Sequence, residues 1–412
     1  MLKIYVCGPT VYNDPHIGNL RPVITFDLSL KAQRALGNDF MFVHNITDID
    51  DKIINRALEQ NKSEKEIADL YFKKYQKLLK DLNIDTITKL DKVTDNLDLI
   101  IDYINQLILS ENAYCDEKGN VWFDILKNKE AYGSVSKQKI DNMIFEDNSL
   151  HKKFKGDFAL WKSTTIGIKF DSIFGLGRPG WHTECCALIY KYFKDEGVDI
   201  HGGGMDLTFP HHENENIQHY SLFKKPLTKK WLRCGQINLD GEKMSKSLGN
   251  VILADKFISE YNPTILKLIF MNAKVTANIN ITDELLANMK MIETKYKKVV
   301  FKILTQFESK DLLLDPNKNS FINQSLQAVA NFDFSDFNFL INNEIKNFNK
   351  DNNIEQARNI YFLLSVFHPE LTSEKLYKDD IKNFNEWRSF IDEKDYKKAD
   401  EIRAKLMKKN II

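Results

Sequence analysis

The stretch from Lys3 to Asn19, KIYVCGPTVYNDPHIGN, constrains this chain most, because it sets a strand, a glycine turn and the start of a helix side by side. Lys3 to Val6 reads as a buried strand bounded by Gly8 and Pro9. After a polar loop, Arg21 to Leu36 places Val23, Phe26 and Leu30 on one helical face, and Gly37 ends the helix. A strand, a glycine-bearing turn and a helix N-terminus form the corner of a doubly wound sheet, where free backbone N–H groups and the helix dipole meet phosphates. His16 and Gly18 sit at that corner, although a satisfied loop histidine and a packing glycine would leave the same letters.

Downstream, Asp39 to Ile46 reads as a second strand, and a Lys/Glu-rich helical stretch to about Leu82 completes a βαβ unit. Leu99, Ile100, Tyr103, Ile104 and Leu107 recur at helical spacing, and Asn120 to Ile125 reads as a strand in a small insertion. Gly156 to Lys162 (GDFALWK) resumes a core pattern and leads into GLGRPGWHTECCAL, a glycine loop ending in a helix. A strand at Val198 to His201 follows, then a helix opened by Pro210. Residues 231–250 read as a short hairpin and a mobile Gly/Lys/Ser loop. Beyond about Asp255, glycine and histidine nearly vanish, and amphipathic Lys/Asn/Glu-rich stretches predict an all-helical domain with exposed loops at 309–320 and 343–353.

Lys plus Arg equals Asp plus Glu at 58 each, so net charge neither demands nor excludes a nucleic-acid partner. Five scattered cysteines are too few for a disulfide framework, which favours a reducing compartment. Without a signal peptide or an apolar run of membrane-spanning length, a cytoplasmic chain with no membrane partner is expected.

Four histidines, His182, His201, His211 and His212, flank two glycine-rich turns that also hold Cys185. His211 and Glu215 are four apart on a predicted helix and so share a face, as two ligands of one metal do. Cys185 at a helix start and Cys7 at the end of the first strand can add two sulfurs, a donor set that suits tetrahedral zinc. A solvated polar face would also explain the HHENE string. Cys186 points elsewhere on any helix, towards the core. Lys243 to Ser247, KMSKS, sets two lysines and two hydroxyls on a glycine-flanked loop that can close over phosphates or simply turn at the surface.

Taken together, YVCGPTVY, PHIGN, NITDIDDKI, DFALWK, GRPGWHTEC, DIHGGGMDL, FPHHENE and GEKMSKSLGN resemble, in order, the class I aminoacyl-tRNA synthetases, and within them the cysteinyl branch. The resemblance implies a Rossmann-type doubly wound parallel sheet with an inserted connective subdomain and a C-terminal helical bundle. It divides the chain into residues 1–92 (first half of the catalytic domain), 93–150 (connective insertion), 151–254 (second half, with zinc site and KMSKS loop) and 255–412 (tRNA-binding helices). His16, Gly18 and Asn19 would then belong to the HIGH-type signature. Lys243 and Lys246 would be the KMSKS lysines, with Lys246 on ATP. One zinc would be held by Cys7, Cys185, His211 and Glu215, while Thr47, Trp181 and Asp206 would surround the bound cysteine.

The substrates implied are L-cysteine, ATP with Mg²⁺, and tRNA(Cys), handled by a monomer. Lys295, Lys297, Lys298, Lys405, Lys408 and Lys409 favour tRNA over delivery of cysteine to a small amine such as an aminosugar, and the intact HIGN, KMSKS and four candidate ligands argue against the other alternative, an inactive binding module. Family members usually carry a strand before YVCG and a basic tail after the position of Ile412, so a shortened chain is expected. Arg233 stands where the family often has histidine.

Overall fold

A computed structural model describes residues 1–145, 151–244, 249–409 and 411. The chain forms two compact units, one of residues 1–23, 40–236 and 252–255, the other of residues 24–39, 237–251 and 256–412.

In the first unit, β1 (Leu2–Val6) leads through the start of α1 (Ile17–Ala35) to β2 (Phe40–Ile46). Helices α2 (Asp51–Gln60) and α3 (Glu64–Asp81) follow, then β3 (Lys89–Lys92) and α4 (Leu97–Leu109). Short strands β4 (Ala113–Cys115), β5 (Val121–Phe123), β6 (Phe158–Ser163) and β7 (Gly177–Pro179) precede α5 (Trp181–Phe193), β8 (Val198–Gly204), α6 (His211–Phe223) and β9 (Thr228–Cys234). The main sheet is parallel throughout, in the order β3-β2-β1-β8-β9. Strand order reverses between β1 and β8, so the loops leaving their C-terminal ends diverge and open a crevice, the usual ligand position in such sheets.

The GDFALWK strand does not join this sheet: β4 to β7 form a separate antiparallel sheet in chain order. Likewise Trp231 to Cys234 are the end of β9 in the parallel sheet, and the hairpin begins only at β10 (Ile237–Leu239) and β11 (Glu242–Lys243).

Helix α1 differs from the one-faced helix expected. Arg21, Thr25, Asp27, Ser29 and Lys31 are buried together with Phe26, Leu28 and Leu30. Its charges are matched locally, since Lys31 Nζ lies 2.8 Å from Asp27 Oδ2 one turn away, and Arg21 donates to the Gly235 carbonyl at 2.6 Å.

The second unit holds the rest of α1, β10 and β11, then α7 (Ala254–Met271), β12 (Ile279–Ile281), α8 (Asp283–Gln306), α9 (Ser320–Ala330), α10 (Phe334–Asp351), α11 (Ile354–Phe367), α12 (Pro369–Thr372), α13 (Glu374–Asp392) and α14 (Tyr396–Lys408). Among its described residues it is helical except for a three-stranded sheet, β11-β10-β12, in which β10 pairs antiparallel with β11 and parallel with β12. Residues 343–351, expected in a loop, extend α10, whose Ile345 and Phe348 are buried and offset the poor helix propensity of its asparagines. Within this unit Phe26 packs edge-on against Phe332, ring centroids 5.2 Å apart, and Ser29 Oγ donates to the Ala330 carbonyl at 2.8 Å. No helix among the described residues is long and apolar enough to cross a membrane.

Gly8, just past β1, leaves no room for a side chain: a Cβ there would meet the Asn45 carbonyl oxygen at 1.6 Å, while its N–H donates to Asn45 Oδ1 at 2.8 Å. The obstacle is backbone of β2, so Gly8→Ala is expected to cost about 3 kcal/mol and to lower the thermal unfolding midpoint measured by calorimetry. An unchanged midpoint would show that the two strands separate freely at this point.

Candidate metal centre and active site

The crevice between β1 and β8 collects the chemistry-bearing residues of the first unit. Cys7 directly follows β1, and its N–H donates to the Gly202 carbonyl at 3.0 Å, tying the loop to β8. Cys185 lies in the second turn of α5 and is buried. Cys186, rotated by about 100° on the helix, turns into the core with its Sγ 3.3 Å from the Glu215 carbonyl oxygen. His211 and Glu215 stand one turn apart on α6, Nε2 to Oε1 at 2.9 Å.

Across the elements, Cys185 Sγ lies 3.6 Å from His211 Nε2 and Cys7 Sγ 3.7 Å from Glu215 Oε1. All four ligand atoms fall within 4.8 Å of one another. A tetrahedral site with metal–sulfur arms of about 2.3 Å and metal–nitrogen arms of about 2.0 Å has edges of roughly 3.3 to 3.8 Å, so the donor set and its spacing fit a small cation. Burial alone would raise the Glu215 carboxyl, yet the His211 and His201 imidazoles beside it hold it well below the usual carboxylate range. Burial pushes the Cys7 thiol up to about 12, so only a cation or strong donors would make it a thiolate here.

A second set, Cys7, His201, His212 and Glu215, also brings its ligand atoms within 4.8 Å. His201 in the middle of β8 has Nε2 at 2.8 Å from Glu215 Oε2, and both atoms are buried. His211 turns its other nitrogen to His182, Nδ1 to Nδ1 at 3.0 Å. Sequence reasoning counted His182, His201 and His212 in the cluster without assigning them ligand or support roles. Their sign was position, just before the glycines of β8 and at the starts of α5 and α6.

Around this centre, Trp181 stacks on His211 with centroids 4.1 Å apart and planes at 25°, and remains 38% exposed. Thr47 is buried and its Oγ1 donates to Glu184 Oε2 at 2.8 Å. Glu184, missed by the sequence reading, sits beside Cys185 on α5, and burial holds its carboxyl well above the usual range. Its sign was an acid directly beside Cys185 in the run read as a glycine loop ending in a helix. Asp206 is exposed in the turn after β8. His16 and Asn19 close the start of α1 reciprocally, His16 N–H to Asn19 Oδ1 and Asn19 N–H to the His16 carbonyl, both at 3.0 Å, with Gly18 in the first turn. Lys243 is exposed on β11 in the second unit, and Lys246 lies outside the described residues.

The family of class I (C) tRNA synthetase catalytic domains matches residues 1–291. A protein named cysteine–tRNA ligase from Mesomycoplasma hyopneumoniae strain J is 44% identical over 407 residues, covering 99% of this chain and 96% of its own. One of the same name from Malacoplasma penetrans is 40% identical over 428 residues, covering 100% and 95%. In fold alone, the LeuRS of Agrobacterium radiobacter K84, solved as a ternary complex, aligns with a TM-score of 0.68 at 10% identity over 92% of this chain and 84% of its own. The methionyl-tRNA synthetase of Mycobacterium tuberculosis in complex with methionyl-adenylate aligns at 0.66 and 12% identity, over 93% and 94%. With a catalytic-domain match over most of its length and relatives this similar over nearly all of it, the chain belongs to the cysteine–tRNA ligases, enzymes of class I of the aminoacyl-tRNA synthetases.

Proposed function

We propose that the chain joins L-cysteine to tRNA(Cys) in two steps. The cysteine carboxylate attacks the α-phosphate of ATP, giving cysteinyl-adenylate and pyrophosphate, and a ribose hydroxyl of the 3′-terminal adenosine of the tRNA then displaces AMP. The observation that carries this reading is the convergence of Cys7, Cys185, His211 and Glu215 at the strand-order reversal.

Cysteine and serine differ by one atom, which an apolar pocket separates poorly. We assign the cluster to one zinc ion, held by Cys7, Cys185, His211 and Glu215. Bound there, zinc supplies a Lewis acid that takes a thiol as its thiolate far more readily than it takes a serine hydroxyl near neutral pH. Trp181 walls the site by stacking on His211; with Thr47 and Asp206 it orients the amino acid so that the carboxylate faces the phosphate.

At the start of α1, the positive end of the helix dipole favours phosphate, with His16, Gly18 and Asn19 alongside. Lys243 and Lys246 counter the charge that grows on the departing pyrophosphate, assisted by Mg²⁺. In the helical unit, Lys295, Lys297, Lys298, Lys405, Lys408 and Lys409 offer basic faces to tRNA; Lys297 and Lys409 also pair with Glu293 and Asp380, each at 2.6 Å, and Lys295 donates to Asn342. Proteolytic removal of everything after residue 255 would strip Phe26 and Ser29 of their partners, so the helices serve the fold as well as the RNA.

ATP–pyrophosphate exchange that depends on cysteine tests the activation step, and exchange with serine in its place or none at all would defeat the reading. Metal analysis is expected to find about one zinc per chain, lost with Cys185→Ala or His211→Ala; full retention by both variants would remove the assignment. His16→Ala and Lys246→Ala are each expected to lower kcat for activation by about 100-fold or more. A rise in KM for cysteine with kcat preserved would contradict a role in the transition state.

A further inference from the structure

Arg233 has no part in the mechanism above, yet it reaches the metal cluster through one side chain. Strand β9 presents Trp231 and Arg233 on the same face, two residues apart. The Arg233 guanidinium carbon lies 5.1 Å from the Trp231 ring centroid. The same indole stacks on His212, centroids 4.8 Å apart and planes at 30°. Held this way, Arg233 Nε–H donates to His212 Nδ1 at 3.1 Å.

That bond has a direction. An arginine Nε always carries its hydrogen, so His212 Nδ1 must offer a lone pair. A neutral imidazole has one N–H, which therefore sits on Nε2. His212 Nε2 lies 3.7 Å from Cys7 Sγ, within reach of an N–H···S hydrogen bond. Space for the ring exists because position 203 is glycine: a Cβ there would stand 3.0 Å from His212 Nε2. His212 thus aims a donor at the sulfur, and a nitrogen bearing hydrogen has no lone pair for a metal. The set of Cys7, His201, His212 and Glu215 loses one member, and the set with Cys185 and His211 stands.

We propose that Arg233 and His212 form a donor relay onto Cys7, in which Arg233 fixes the Nε2–H tautomer of His212 and His212 hydrogen-bonds the sulfur that holds the metal. Both are positioning residues, and neither ligates. A donor on a ligating sulfur steadies its negative charge and turns its remaining lone pair to the ion, as partners behind metal ligands commonly do. The inference rests on Cys7 being a metal ligand.

The test uses the zinc-loaded full chain labelled with ¹⁵N-histidine. Two-bond ¹H–¹⁵N correlation is expected to show His212 as the Nε2–H tautomer in the parent protein and a mixture of tautomers in Arg233→Met. Competition with a chelator is expected to show zinc held about tenfold or more weakly in both Arg233→Met and His212→Phe. An Nδ1–H tautomer in the parent protein overturns the relay, as does zinc affinity within twofold of the parent in both variants. A parent chain that binds no zinc at all removes the metal reading and the relay together; one that binds about one equivalent while both variants hold it equally well removes the relay alone.

Discussion

Glu215 has no exposed surface, and a carboxylate taken out of water costs several kcal/mol unless positive or donating groups surround it. Its surroundings come from far apart in the chain: His211 from its own helix, His201 from the middle of β8 and Cys7 from just past β1. Bringing these together requires β1 and β8 to be neighbours, and α6 to return beside them with its first turns facing the crevice. The parallel sheet supplies that arrangement, because the loops at the order reversal leave in opposite directions and do not fill the space between their strands.

Helix α6 serves two sides at once. Glu213 and Glu215 are two residues apart and so point to nearly opposite faces. While Glu215 faces Cys7, His201 and His211, Glu213 accepts from the backbone N–H groups of Gly133, Val135 and Ser136 at 2.9, 3.0 and 2.6 Å. Asn214 adds a bond from Tyr132 at 2.6 Å. Two consecutive polar residues, Glu213 and Asn214, thus fix the loop after β5 to the helix that carries His211 and Glu215, and satisfy backbone N–H groups that would otherwise be buried without partners.

The second unit solves a similar problem with an ion pair. Lys267 is buried and donates to the Phe367 carbonyl at 3.1 Å and to Glu370 at 3.0 Å, while Glu370 also accepts from Thr264 at 2.7 Å. Such a pair adds little net stability over well-packed apolar groups, yet losing either member would strand the other. Its effect is to set the register of α7 against the α11–α12 junction.

By itself the sequence determined the elements and the chemistry. Glycine turns and apolar periodicity are properties of residues close in the chain, so strands β1, β2 and β8, helices α1, α4, α5 and α6 and the helical character of the C-terminal part could be read directly. The spacing of His211 and Glu215 on one face was legible for the same reason. Tertiary structure alone decided which sheet received residues 158–163, why every face of α1 is buried, and which of the clustered histidines offers a lone pair and which a hydrogen. Those outcomes depend on partners far removed, Cys7 and Glu215 being 208 positions apart, and on the direction of single hydrogen bonds such as that from Arg233. Local periodicity carries no record of such partners, since a residue's letter states which groups it can offer and only the packed neighbours select which one it presents.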